Sequence, residues 1–232
     1  MMNLSTLRKC AFVLPAAALA LTLAGCKAGG GPEAPAKAQM ASWTPAKKVE
    51  TMPAKAELPP GVRRSFGVGY KSVWTKMDGK EMAWKTVRLD GSIAEFHAST
   101  GCKAVTDMSS YSPALAWRDC SGSAGSRKIG KHTGNLFPLA VGNTESWRYT
   151  GRNDKGNTWS GMRTCKVAGT ANVTVPAGNF DTYHVICRDG SSREDRWFSP
   201  ELGETVISSK APLPGKKSNR YHRELIRIEP PA

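Results

Sequence analysis

The chain has 232 residues, with 33 Lys and Arg against 19 Asp and Glu and a formal net charge of +14. That length accommodates one ordinary domain or two small ones, and six cysteines are too few for a disulfide-dense miniprotein. A charged fraction of 22 % beside 40 % apolar residues argues against a wholly disordered chain, leaving a basic protein for which nucleic acid is the first partner to weigh.

Residues 1–9 carry Arg8 and Lys9 and no acid, and Ala11 to Ala24 is apolar except for Pro15 and Thr22. A charged start and a short apolar run are the two parts of an export signal. The run falls short of the ~20 residues that span a bilayer. It closes on Leu23-Ala24-Gly25-Cys26. The tetrad resembles the lipobox of bacterial lipoproteins, which implies that residues 1–25 are a signal peptide, cut before Cys26, and that Cys26 is lipidated on its thiol and its new amine. The residues by themselves also fit a soluble secreted protein or a retained membrane anchor. Each buried CH₂ contributes about 0.8 kcal/mol, so several acyl chains hold a protein stably on a membrane. By the same resemblance, Lys27 in place of an acid favours the outer membrane, with the protein facing the periplasm. Loss of residues 1–25 lowers the net charge to +12. In an envelope compartment nucleic acid is not an expected partner; envelope proteins, lipid and anionic glycans are.

Residues 26–60 are expected to form the lipidated cysteine and a flexible linker. The stretch from Lys27 holds six prolines, eight alanines and a Gly triplet, a composition without the apolar payload to offset ordering. Its 34 residues would extend to about 100 Å at ~3.1 Å each, and Trp43 is expected to do nothing specific within it. Residues 61–232 form the folded unit, with a charge of +10. Apolar side chains alternate along Phe66-Val68-Tyr70, Cys165-Val167, Val173-Val175, Tyr183-Val185-Cys187 and Ile226-Ile228. Turn signals fall between, at Asp78-Gly79, Asp90-Gly91, Asp154 to Gly156, Pro176 to Asn179, Asp189-Gly190 and Leu202-Gly203. A period of two predicts a mainly β domain of ten to twelve antiparallel strands, as a curved sheet, barrel or sandwich. Ala94–Met108 is the best helical candidate and also fits short strands. Val68-Gly69 and Trp74 recur as Val141-Gly142 and Trp147, so the domain divides into two candidate β-meander halves, 61–134 and 135–232.

Once Cys10 leaves with the signal and Cys26 is lipidated, Cys102, Cys120, Cys165 and Cys187 remain. An oxidising compartment and an even count favour disulfides. Of three pairings, Cys102–Cys120 and Cys165–Cys187 are preferred; the second spans a turn-rich centre flanked by alternating runs. No metal-ligand spacing is present, and no metal or cofactor is expected.

The four histidines, His97, His132, His184 and His222, form no HExxH array, and no nucleophile elbow or phosphate loop occurs. Acid pairs drawn from Asp181, Asp189, Glu194 and Asp195 do not point to glycoside cleavage; Arg193 to Arg196 reads as a solvated strand edge. No catalytic residue is assigned. Basic residues lie among aromatics at Arg148, Arg152, Arg163 and Lys166, with Lys216 and Lys217 further on, and these are the candidate anionic-surface contacts.

The phrases Phe137-Pro138-Leu139-Ala140-Val141-Gly142, Val173 to Tyr183 with its Val-Pro-Ala-Gly turn, and Trp197-Phe198-Ser199-Pro200-Glu201-Leu202-Gly203 together resemble a class of uncharacterised bacterial envelope proteins over residues 135–207. The resemblance implies a β scaffold and brings no catalytic residue. The expected function is a non-catalytic, lipid-anchored envelope module for binding, assembly or structure; a lipid or anionic-glycan carrier and a cell-wall hydrolase are the alternatives.

Overall fold

The computed structural model describes residues 43–55, 57–64 and 66–231. The signal, the lipobox tetrad and Cys26 lie outside the described residues. Twelve strands follow one another: β1 (Lys71–Lys76), β2 (Glu81–Asp90), β3 (Ile93–Ala98), β4 (Lys103–Asp107), β5 (Ala116–Arg118), β6 (Gly125–Gly134), β7 (Thr144–Asn153), β8 (Thr158–Val175), β9 (Gly178–Asp189), β10 (Ser192–Ser199), β11 (Glu204–Pro212) and β12 (Tyr221–Glu229). Each pairs antiparallel with the next, and β12 pairs with β1, so the sheet is a closed barrel. Closure removes the two terminal sheet edges that β1 and β12 would otherwise leave. The Ala94–Met108 stretch is the β3–β4 hairpin rather than a helix.

Alternation is strongest in β7, where Glu145, Trp147, Tyr149 and Gly151 are buried while Arg148, Thr150 and Arg152 are exposed. A barrel of eight strands is filled by ordinary side chains, and diameter grows with strand number. Twelve strands therefore enclose more space than aliphatic residues fill, and this interior holds aromatic rings, guanidinium groups and inserted loops. At one end, which we call the closed end, Tyr111 of the β4–β5 loop and Leu136 and Leu139 of the β6–β7 loop pack against Trp147, Val167, Val185 and Phe198. The opposite end, formed by the β1–β2, β3–β4, β5–β6 and β11–β12 turns, is an open mouth.

The backbone around Gly69 and the backbone around Gly142 make the same set of hydrogen bonds. Tyr70 N bonds to Gly67 O, Gly69 N to Thr86 O and Thr86 N to Tyr70 O; Asn143 N bonds to Ala140 O, Gly142 N to Val167 O and Val167 N to Asn143 O. Gly69 and Gly142 have positive φ of 96° and 97°, a conformation open to glycine at little cost. The next residue after Thr86 in β2, and after Val167 in β8, is a bulge against the following strand. Trp74 and Trp147 are both buried.

Both disulfides are present as paired in the sequence: Cys165–Cys187 ties directly opposed residues of β8 and β9, and Cys102–Cys120 ties the start of β4 to the end of β5.

Two sequence expectations change. From Trp43 onward the expected linker is a strap laid against the barrel. Met52 forms a two-bonded bridge with Asn172. Val49 joins the apolar cluster of Val173, Phe180 and Trp197. The carbonyls of Leu58 and Pro59 accept from the Tyr183 hydroxyl. The strap answers a structural need: β8 outruns β7 beyond Lys166, and Asn143 and Met52 cover the edge so exposed. Trp43 has a partner too, stacking 4.2 Å from the Arg193 guanidinium. The second change is Arg193 to Arg196. It is no solvated edge but the middle of β10, between β9 and β11, with Glu194 and Asp195 only 4 % and 3 % exposed.

Candidate functional site

Strand register places Arg163, Asp189, Glu194, Arg196, Lys210, Tyr221 and Arg223 on one face of β8 to β12. That face is the lumen. Arg196 of β10 and Arg223 of β12 line one cavity with Phe96 of β3 and Ala104 of β4, and strands so far apart in a closed sheet meet only across its inside.

Glu194 is the hub of the lumen. Its carboxylate pairs with Arg163 at 2.6 Å and Arg196 at 2.7 Å and accepts from the Tyr221 and Ser208 hydroxyls. Burial opposes its charge, yet the two guanidiniums override burial and hold the carboxyl well below the ordinary glutamate range. Arg163 also donates to Tyr111 O and sits 3.8 Å from Asp189. Tyr149 donates to Asp189, and burial together with that carboxylate raises its phenol to about 12. Arg127 lies 4.5 Å from the Trp117 ring centre, and burial lowers its pKa. Three glycines make this aromatic lining possible: Gly125 faces Trp117, Gly151 faces Trp159 and Gly161 faces Tyr149 directly across strands, with the ring lying where a Cβ would stand.

Toward β1 to β4 the lumen opens into a cavity of about 250 Å³, lined by Tyr70, Ser72, Trp74, Trp84, Phe96, Ala104, Thr106, Met108, Arg196, Glu204 and Arg223. Four of its buried polar atoms have no hydrogen-bond partner among the described residues: Tyr70 Oη, Trp84 Nε1, Arg196 Nε and Arg223 Nε. Arg223 stacks on Trp74 and Tyr221 and makes no hydrogen bond or ion pair among the described residues. Burial raises the Glu204 carboxyl above its ordinary value, against the pull of Arg63. Trp84 and Arg223 also line the mouth, a depression of about 910 Å³ bordered by Lys76, Met77, Met82, Cys102–Cys120, Asn219 and Arg220. The two spaces therefore share a threshold.

The predicted basic set divides. Arg148, Arg152 and Lys166 are exposed, and Arg148 and Arg152 share the outer face of β6 to β8 with Lys128, Thr150 and Ser160; none of these four cations makes an ion pair among the described residues. Lys216 and Lys217 stand exposed in the β11–β12 turn, away from this group. Arg163 does not belong with them: it is 5 % exposed and committed to Glu194. An outer wall carrying these cations is unlike the apolar band of a lipid-spanning barrel.

Each histidine is bonded to a carboxylate: His97 to Glu95, His132 to Glu145, His184 to Asp195 and His222 to Glu224. The arrangement nearest to a hydrolytic triad is Ser209, His222 and Glu224, with Ser209 and His222 directly opposed. Ser209 Oγ and His222 Nδ1 have no hydrogen bond, to each other or to any other described residue, and both residues are buried. The nucleophile–base contact of such chemistry is not made. Asp189 and Glu194 approach a common guanidinium, and Glu194 is held ionised, the opposite of a general acid. No group of three or more potential metal ligands occurs among the described residues.

Sequence reasoning missed the lumen charges because a run such as Arg193 to Arg196 looks the same whether its polar face meets water or a polar interior. The one available signal was the density of Arg, Tyr and Trp at alternate positions in successive strands.

No family model matches the chain, and no curated protein does. Among solved structures it is similar to the hypothetical lipoprotein YmcC from Escherichia coli, with 10% identity, a TM-score of 0.43, and coverage of 69% of this chain and 85% of that one. It is also similar to an exported protein with a YmcC-like fold from Bacteroides fragilis, at 14% identity, TM-score 0.36, and 73% and 99% coverage.

Proposed function

We propose that this chain is a non-catalytic envelope lipoprotein, anchored through Cys26 after removal of residues 1–25, whose barrel is a binding module with its site in the lumen behind the mouth. Its halves, 61–134 and 135–232, are related β-meander units that close together around that site. The observation that carries the reading is the cavity itself: unpartnered donors gather in it, and it shares Trp84 and Arg223 with the depression of about 910 Å³ at the mouth. Buried polar groups ordinarily find partners, and a shared set of orphans in one reachable space marks a place where a partner arrives.

The anchor and the mouth are linked by the strap. Arg220, on the rim, donates to Pro45 O, so the chain leading back to Cys26 departs beside the mouth. At ~3.1 Å each, 17 residue steps between Cys26 and Trp43 set an upper limit of about 50 Å on the reach of the anchor, half that of a linker running to Pro60. Lys27 supports the outer membrane as the site of attachment, with the barrel in the periplasm.

Two measurements test this. Metabolic labelling with radioactive palmitate should mark the protein and fail in Cys26→Ala; label persisting in the variant refutes the anchor. Native mass spectrometry of the full-length protein, extracted from its own envelope in detergent, should show a bound small molecule besides the acyl chains. A bare mass under conditions that preserve known complexes refutes the binding module. A second reading is favoured by the unpaired Lys128, Arg148, Arg152 and Lys166 of the outer wall: contact with an anionic envelope polymer there. It predicts salt-sensitive retention on lipopolysaccharide that falls in Arg148→Gln/Arg152→Gln.

A further inference from the structure

The ionic groups inside the barrel do not balance. Arg127, Arg163, Arg196 and Arg223 bring four guanidiniums to the lumen, and Lys210 stands among them. Two carboxylates answer them firmly: Glu194, locked by Arg163 and Arg196, and Asp189, bonded to Tyr149. Glu204 also lines the cavity, where burial raises its carboxyl and it makes no ion pair among the described residues, and Glu145, on the same inward face nearer the closed end, is bonded to His132. Arg223 is left with two aromatic faces and no counter-charge within hydrogen-bond reach. Arg223 is half-buried with its Nε buried and unpartnered among the described residues, a desolvated donor that an arriving acceptor would satisfy, and every such polar atom of the cavity is a donor or a hydroxyl. Tyr70, the deepest of these, is 7 % exposed.

The walls around these donors are rings. Trp74, Trp84, Phe96 and Tyr70 surround a space large enough for one six-membered ring and its substituents. Aromatic faces stack on the C–H faces of a sugar, while edge donors such as indole N–H and guanidinium take its oxygens. Met77 and Met82 at the mouth add an apolar, adaptable entrance, and Lys76 and Arg220 on the rim favour the approach of anions.

From this we infer that the lumen cavity binds an anionic sugar residue, such as the end of an acidic glycan, with its charged group at Arg223 and Arg196 and its ring against Trp74 and Trp84. The inference rests on the proposed binding module and specifies its ligand. The carboxylate of a uronic acid and the phosphate of a sugar phosphate present the same chemistry to the two guanidiniums; the assay below separates them. On the exterior basic wall the aromatic residues beside Lys128, Arg148 and Arg152 are Trp159 and Tyr149, whose rings are already packed against Gly151 and Gly161, which is why the lumen is preferred.

The test is calorimetric titration of the full-length chain in detergent with D-glucuronate, a galacturonate trimer, glucose 1-phosphate and, as the uncharged counterpart, glucose. Binding of at least one acidic sugar, with glucose at least tenfold weaker, is expected; which acid binds tighter assigns carboxylate or phosphate. Arg223→Gln should weaken the acidic sugar tenfold or more while leaving its binding of one molecule per chain and the circular dichroism spectrum intact. Trp84→Phe should keep part of the affinity, and Arg148→Gln/Arg152→Gln all of it. Equal binding of glucose and acidic sugar, no effect of Arg223→Gln, or loss on changing the outer wall each overturns the inference. So does the absence of binding by all four sugars. If native mass spectrometry still finds a small molecule in that case, the binding module stands and only its ligand class is wrong; anionic vesicles of phosphatidylglycerol then competing for the site would reassign it to lipid.

Discussion

Glu194→Gln offers the sharpest perturbation of the interior. The wild-type carboxylate holds Arg163 and Arg196 within 2.7 Å and also accepts from Tyr221 and Ser208. The amide keeps the shape and loses the charge, leaving two buried guanidiniums short of a partner. Removing one member of a buried pair costs about 3–5 kcal/mol, and in a domain of this size 1 kcal/mol shifts Tm by about 2–4 °C. The variant should therefore melt about 6–20 °C lower, followed by tryptophan fluorescence with the disulfides oxidised. The pH dependence has a definite sign. Glu194 is depressed below its unfolded value, which lies near 4.3, so its stabilisation is fully present above that pH and is lost as the pH falls through the folded value. The gap between wild type and Glu194→Gln should narrow below about pH 4. A loss under about 0.5 kcal/mol, the ordinary cost at a solvated position, would refute the reasoning and restore β10 to the surface.

Other outcomes follow from the same geometry. Cys102–Cys120 borders the mouth whereas Cys165 and Cys187 are fully buried, so dithiothreitol under native conditions, read by alkylation and mass spectrometry, should open the first bridge and spare the second. Gly161→Ala sets a methyl group against the Tyr149 ring and should cost about 1–3 kcal/mol in urea unfolding; Gly169→Ala, with open space around it, is the control. Asn172→Ala removes the side-chain bonds to Asn179 and Asp181 beneath the strap, at a cost of about 1–3 kcal/mol. Hydrogen exchange should then quicken at residues 43–55 with the mouth strands unchanged.

The scaffold was legible in the sequence because its signals are local. Period-two alternation, Asp-Gly turns and the spacing of Cys165 and Cys187 each depend on near neighbours along one hairpin. The recurrence of Val-Gly and Trp at an offset of 73 was visible too, and Gly69 and Gly142 make matching backbone bonds. Closure was not legible, since β1 meets β12 across the whole chain and nothing in either strand names the other. The lumen was hidden for a related reason. Alternation tells that one face differs from the other, not which is inside, and a twelve-strand interior tolerates Arg163 and Glu194 where a smaller barrel would require Val and Leu. The strap was misread because Ala and Pro composition reports weak self-association, while Met52 and Leu58 gain their partners from β8 and β9.

The central claim is that the barrel interior behind the mouth is a reachable, electropositive chamber. Thr106 lines that cavity, and the other cysteines of the mature chain are lipidated or bridged in this account, so Thr106→Cys supplies a single reporting thiol. In the folded protein it should react with an anionic methanethiosulfonate reagent at least tenfold faster than with a cationic one of similar size. No reaction with either reagent before unfolding, or a preference for the cation, would contradict the account.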